Sequence, residues 1–220
     1  MNYAALVSAV SSYTENTFPT VDMNLFITQA EKRIYNTVQI PALRKNVTGI
    51  TTASNKYLAC PDDFLSSYSL AAIDPTTGAY TFLLNKDVNF IREAYPKPTS
   101  TGSPKFYALF GPAVASSVIT TELTFLIGPT PDAAYSMELH YYYYPESIVT
   151  ASTTWLGDNY DPVLLYGTLV EAYTYMKGET DMIALYDGKY KEAMGQLKRL
   201  GDGLERQDAY RSGQVRIPVT

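Results

Sequence analysis

Ten of the 13 prolines fall between Pro41 and Pro145, and only Pro19, Pro162 and Pro218 lie outside that window. Proline lacks a backbone donor and clashes with the preceding turn, so helix interiors and central strands exclude it. The 220-residue chain is therefore expected to be helical toward both ends, with a turn-rich β segment between. The fold class expected is α+β: a four-helix bundle formed by N-terminal and C-terminal helix pairs, with an inserted Pro-rich antiparallel β region. The boundaries read as 1–40 for the first helix pair, 41–157 for the β-rich insertion, 158–200 for the second pair and 201–220 for an extended tail.

Periodicity supports this layout. Leu6, Val10 and Tyr13 fall on one face of a helix from Asn2 to about Thr14. Asp22 is the expected N-cap of a longer helix, in which Met23, Ile27, Ala30, Ile34 and Val38 recur every three or four residues opposite Glu31, Lys32 and Arg33. Val47 to Thr52 and Lys56 to Cys60 read as a hairpin around Ala53-Ser54-Asn55, and Leu65 to Ile73 with Tyr80 to Leu84 as a second. A short helix is expected over Val88 to Ala94. Strands follow at Phe106 to Phe110, Ala115 to Ile119, Leu123 to Ile127 and Tyr135 to Tyr144. Pro162 then opens a helix to Lys177 that is apolar on most sides and so should be the buried central one. The last helix, Thr180 to about Leu200, presents Ile183, Tyr186, Tyr190, Ala193, Leu197 and Leu200 as its core stripe; Gly188 and Gly195 permit close approach or a bend there.

Composition narrows function by exclusion. A single Cys rules out an intramolecular disulfide and a Cys-rich zinc site, and a single His rules out multi-His metal centres. The pI near 4.9 does not suit a free-standing nucleic-acid binder, which needs a basic face. The N-terminus lacks a basic signal-peptide n-region, and no run approaches the ~20 apolar residues that span a bilayer. The expectation is a soluble, intracellularly made protein with no membrane partner. The acidity is uneven: from Lys198 onward there are five Lys/Arg against three Asp/Glu, leaving 12 against 19 in the rest. The tail ends in the alternating run Val215-Arg-Ile217-Pro-Val219, and short tails of this kind become ordered against a partner.

No enzymatic signature stands out. Gly195-Gln-Leu-Lys-Arg-Leu-Gly201 lacks the spacing of a phosphate loop. His140 sits mid-strand among tyrosines and reads as a packing or interface residue. Asp62 and Asp63 read as turn residues after Pro61, and Cys60 as a small strand residue with nothing nearby to activate it. The expectation is no catalytic, cofactor-binding or metal-binding residue. Tyr141, Tyr142, Tyr143 and Tyr144 are more informative. A strand alternates its faces, so the run puts hydroxyl-tipped aromatic surface on both, which suits either a strand between two layers or a subunit interface.

Taken in order, the motifs resemble the head-to-tail connector, or adaptor, proteins of tailed bacteriophages, particularly the short-tailed type. They are Phe26-Ile-Thr-Gln-Ala-Glu-Lys-Arg-Ile34, Cys60-Pro-Asp-Asp-Phe64-Leu65, Pro104-Lys-Phe-Tyr107, Ile127-Gly-Pro129-Thr-Pro131 and Leu139-His-Tyr-Tyr-Tyr-Tyr144. Trp155-Leu156, the helix from Asp161 to Glu171, and Tyr186, Tyr190 and Ala193 complete the series. The resemblance implies a non-enzymatic virion structural protein of the neck, at the head–tail junction, assembled in the host cytoplasm. It implies a homo-oligomeric ring, commonly of twelve subunits, beneath the portal protein. Such a ring stabilises the neck, gives the tail or nozzle protein a platform to assemble on, and lets packaged DNA pass through its lumen without specific binding. It further implies that the tail docks on the portal, with Arg206, Tyr210, Arg211, Val215, Arg216, Ile217 and Val219 as the candidate contacts. Two other classes compete: a tail-associated glycan- or receptor-binding module using the Tyr-rich sheet, and an enzyme resting on His140.

Overall fold

The computed structural model describes residues 1–97, 99–111, 113–115, 118–121 and 123–204. In chain order these form α1 (Tyr3–Thr14), α2 (Thr20–Thr37), a short 3-10 turn (Pro41–Leu43), β1 (Arg44–Ile50), β2 (Tyr57–Ala59), β3 (Phe64–Ile73), β4 (Tyr80–Phe82) and β5 (Leu84–Asn85). Then come α3 (Val88–Ala94), β6 (Thr101–Gly102), β7 (Phe106–Phe110), β8 (Ala113–Ala115), β9 (Val118–Thr121), β10 (Thr124–Gly128), β11 (Thr130–Pro131) and β12 (Ser136–Tyr143). Four helices close the series: α4 (Ile148–Ala151), α5 (Trp155–Asn159), α6 (Asp161–Tyr175) and α7 (Thr180–Leu204). The chain divides into two compact units, a helical one from residues 1–43 and 145–220 and a β-rich one from residues 44–144.

The helical unit is organised around α6. Its Val163, Leu164, Leu165, Gly167, Thr168, Leu169, Val170 and Ala172 are all buried, and α1, α2 and α7 each pack against it. Gly167 permits this crowding: a Cβ there would stand 3.2 Å from both the Ala30 Cβ on α2 and the Tyr190 ring on α7. The three partners bury amphipathic stripes of the expected kind, Leu6 and Val10 on α1, Met23, Ile27, Ala30 and Ile34 on α2, and Tyr186, Tyr190, Ala193 and Leu197 on α7. Leu200, expected on the last stripe, is exposed. Asp22 is not the cap of α2; Pro19 precedes the first turn and Asp22 lies within it, where a carboxylate still favours the helix dipole.

The β unit packs two four-stranded sheets. One has the order β1-β12-β3-β4 and is antiparallel throughout. The other has the order β2-β10-β7-β5, with β5 and β7 parallel. Their inner faces share one core: Phe64, Leu70, Ala72, Met137, Leu139 and Tyr141 from the first sheet meet Tyr107, Phe125 and Ile127 from the second. The opposite face of β10 carries Leu126, which packs with Ala108 and with Ile91 of α3. That double covering explains why β10 is buried along its whole length and has no polar alternation. Two small pairs complete the unit, β6 with β11 in parallel and β8 with β9 antiparallel.

The expected four-helix bundle with an inserted antiparallel β region is overturned. The described residues contain seven α-helices, and their twelve strands lie in four sheets with two parallel pairings. A bundle shares its core among helices that each keep a polar face; α6 is buried on nearly every side and acts as a hub. The first expected hairpin is also corrected. β1 pairs with β12 and β2 pairs with β10, so two strands adjacent in sequence enter different sheets. The second, β3 with β4, forms with Ile73 opposite Tyr80.

Candidate functional site

The outer face of the all-antiparallel sheet gathers most of the chemistry predicted from sequence. Register places Arg44, Asn46, Thr48 and Ile50 of β1 opposite Tyr142, His140, Glu138 and Ser136 of β12. Glu138 is the polar centre of this face. Asn46 donates to it at 2.9 Å, His140 Nε2 lies 2.8 Å from the same oxygen, and Tyr80 on β4 also bonds it. These contacts, His140 first, hold the Glu138 carboxyl below its ordinary range. His140 thus pairs with a carboxylate two residues away on its own strand.

The tyrosine run, three residues at the end of β12 and Tyr144 just beyond it, divides between the two faces. Tyr141 points inward, only 3% exposed, stacks on Phe64 and donates to Asp63 at 2.7 Å. Tyr142 points outward and is buried under Arg44, whose guanidinium lies 4.9 Å from that ring and 4.1 Å from the ring of Tyr68. Tyr68 is brought there by a bulge on β3 between the partners of His140 and Tyr141. Tyr143 is half-buried with Lys45 Nζ 4.1 Å from its ring, and Tyr144 is exposed. The run is therefore divided between core and surface and does not form one continuous aromatic platform.

Asp63 is tied into this network. Burial raises its pKa, but hydrogen bonds from Lys45 and Tyr141 outweigh that and hold the carboxyl below its ordinary range. Beside it, Cys60 helps to line an apolar cleft of about 250 Å³ with Val47, Leu58, Phe125 and Leu139. Burial pushes the thiol up to about 12, which leaves it protonated and poorly nucleophilic at neutral pH. Among the described residues no group of three or more His, Cys, Asp or Glu stands together as a metal site, and no helix is long and apolar enough to cross a membrane.

Two features escaped the sequence reading. Glu31, expected on the watery face of α2, is 2% exposed and accepts hydrogen bonds from Ser147 Oγ at 2.5 Å and the Ile148 amide at 2.9 Å, so it caps α4 from another helix. Tyr80 and Phe82 on β4 are 54% and 68% exposed and stack on each other at 6.4 Å. The signal for the second was present: Tyr80-Thr-Phe-Leu-Leu84 is apolar at both parities, more than one buried face can absorb. The tail residues Arg206, Tyr210, Arg211, Val215, Arg216, Ile217 and Val219 lie outside the described residues.

Among the described residues this sheet surface is tied together by tyrosines and charged pairs. Residues 1–218 match the SU10 adaptor protein family. The chain belongs to that family. The match spans both the helical and the β unit, so it covers the architecture and not one motif. The SU10 adaptor family is one of phage structural adaptors and not of enzymes. No curated protein matches the chain.

Proposed function

We propose that the protein is the subunit of a homo-oligomeric adaptor ring in the phage neck, seated between the portal protein and the tail. The observation that carries this reading is the family match along nearly the whole chain. The ring, of about twelve copies by resemblance to other connectors of short-tailed phages, gives the tail or nozzle protein its platform and leaves a lumen for DNA. The acidic composition supports passage without adhesion, because a net negative wall gains nothing from phosphate neutralisation. The tail expected from residue 201 starts later, because α7 runs to Leu204 with Gly201 buried; residues 205–220 serve as the portal-docking tail, with Arg206, Arg211 and Arg216 meeting acidic groups and Val215, Ile217 and Val219 adding a strand-like edge. Tyr143 and Tyr144, the members of the tyrosine run with surface to offer, contribute to subunit contact.

The test is to mix the purified full chain with the portal protein and measure particle mass. A defined multimer that forms with the portal supports the ring; a monomer indifferent to it at high concentration refutes it. Deleting residues 206–220 is expected to abolish docking and to leave the melting temperature within about 2 °C.

A further inference from the structure

The first sheet of the β unit has two open edges with matching properties. Its order is β1-β12-β3-β4, and every neighbouring pair is antiparallel. With an even number of strands, the two edge strands run in opposite directions. A second copy related by simple rotation, with no inversion, therefore brings its β1 antiparallel to β4 of the first. The ladder then continues without a break in the pattern, in the pairing that is the more stable per residue. Among the described residues neither β1 nor β4 has a strand on its outer side, so residues 45–50 of β1 and the three residues of β4 leave edge backbone donors and acceptors for a further strand.

The side chains agree with the backbone. On β4, Tyr80 and Phe82 lie opposite Ile73 and Ala71 and share the outer face. Tyr80 is tied to Glu138 and stacked with Phe82, so the pair is already ordered before any partner arrives. On β1, Ile50 is 71% exposed on the same face.

We propose that β4 of one copy pairs with β1 of the next, so that the sheet runs on from subunit to subunit. This rests on the ring reading above and names its contact surface. The size of the edges explains why the occupant is another copy within a closed ring. Aromatic side chains bury about 150–250 Å² each, so Tyr80 and Phe82 together offer on the order of 250 Å². That is well below the roughly 800 Å² per partner of a stable pairwise interface. A lone dimer is held by one such contact, while each copy in a ring is held at both edges, which multiplies a weak contact.

The test uses the full chain in two ways. Tyr80→Lys with Phe82→Lys places charge on an exposed edge, so Tm is expected to move by under about 2 °C while the multimer is lost. Separately, Ile50→Cys with Phe82→Cys, treated with a short bis-maleimide with and without portal protein, is expected to give a ladder of dimer, trimer and higher species. Either single cysteine gives no ladder, because the contact joins two different edges; buried Cys60 does not interfere. An intact multimer in the double-Lys variant, or cross-linking of Phe82→Cys alone to dimer, overturns the edge contact and leaves the ring reading standing. Wild-type chain that stays monomeric in every condition, with no ladder, overturns both.

Discussion

The helical and β units complete their cores in different ways. In the helical unit the mid-helix backbone polar groups are satisfied within each helix, and packing α1, α2 and α7 onto α6 covers their apolar stripes. Exposed Val21 and Leu25 on α2 are simple surface residues there. In the β unit the inner faces of the sheets are equally well closed around Phe125 and Leu70. Yet the first sheet ends in β1 and β4, neither of which has a strand on its outer side among the described residues. A helix is finished when its stripe is covered; a sheet is finished only when its edges are. An exposed Phe82 at a strand edge therefore means more than an exposed Leu25 on a helix.

The largest predicted effects probe the two cores. Phe125→Ala is expected to cost the β unit about 3–5 kcal/mol, and Leu164→Ala to cost the helical unit about 2–5 kcal/mol. Urea titration followed by the fluorescence of Trp155, the only tryptophan and a residue of the helical unit, reads the second. Hydrogen exchange in β12 reads the first. A loss under about 1 kcal/mol at either position would mean that its core had been misplaced.

Next in size is Glu31. Glu31→Ala leaves the Ser147 hydroxyl and the Ile148 amide without their acceptor and is expected to cost about 1–3 kcal/mol. Glu31→Gln keeps a carbonyl oxygen for the amide and should recover most of that loss. Equal losses in the two variants would show that the cap is not the reason for burial.

The pH dependence of the two units is expected to differ in sign. Burial raises the Glu31 pKa above its ordinary 4.5, more than its two hydrogen bonds lower it. Its contribution is then fully present below the unfolded pKa and fades as pH rises through the folded one. Asp63 is held below its ordinary 3.8, so its contribution is present above the unfolded pKa and fades as pH falls through the folded one. Acidification from neutral pH should thus loosen β12 in hydrogen exchange sooner than the α2–α4 contact. Glu31→Gln and Asp63→Asn should each flatten its own unit's trend; parallel trends in both variants would contradict the assignment. Smallest of all, Tyr80→Ser is expected to change stability by no more than about 0.5 kcal/mol in urea, and a larger loss would show that Tyr80 belongs to the core.

Local order was legible where one face of an element decides its environment. The stripes of α1, α2 and α7 follow from spacing, and the β3–β4 hairpin follows from Asp74-Pro-Thr-Thr-Gly78 between apolar runs. The buried character of α6 follows from its having no polar side. Where a residue's partner is distant in sequence, the same reading failed. β1 and β2 look like a hairpin from Ala53-Ser-Asn55, but each finds a better partner about 65 to 98 residues away, in β12 and β10 respectively. Glu31 looks solvated beside Lys32 and Arg33 until Ser147 and Ile148 arrive from 116 and 117 residues along the chain.

Sequence alone determined that this is a helix-flanked, proline-punctuated α+β chain, and its ordered motifs already resembled phage adaptors. Proline, glycine and apolar spacing act within a few residues, so they need no partner to be read. Tertiary structure decided that the helices gather on one hub, that the tyrosine run divides between core and surface, and that Tyr80 and Phe82 are left outside. Those outcomes depend on which surfaces compete for burial, and that competition exists only once distant segments meet.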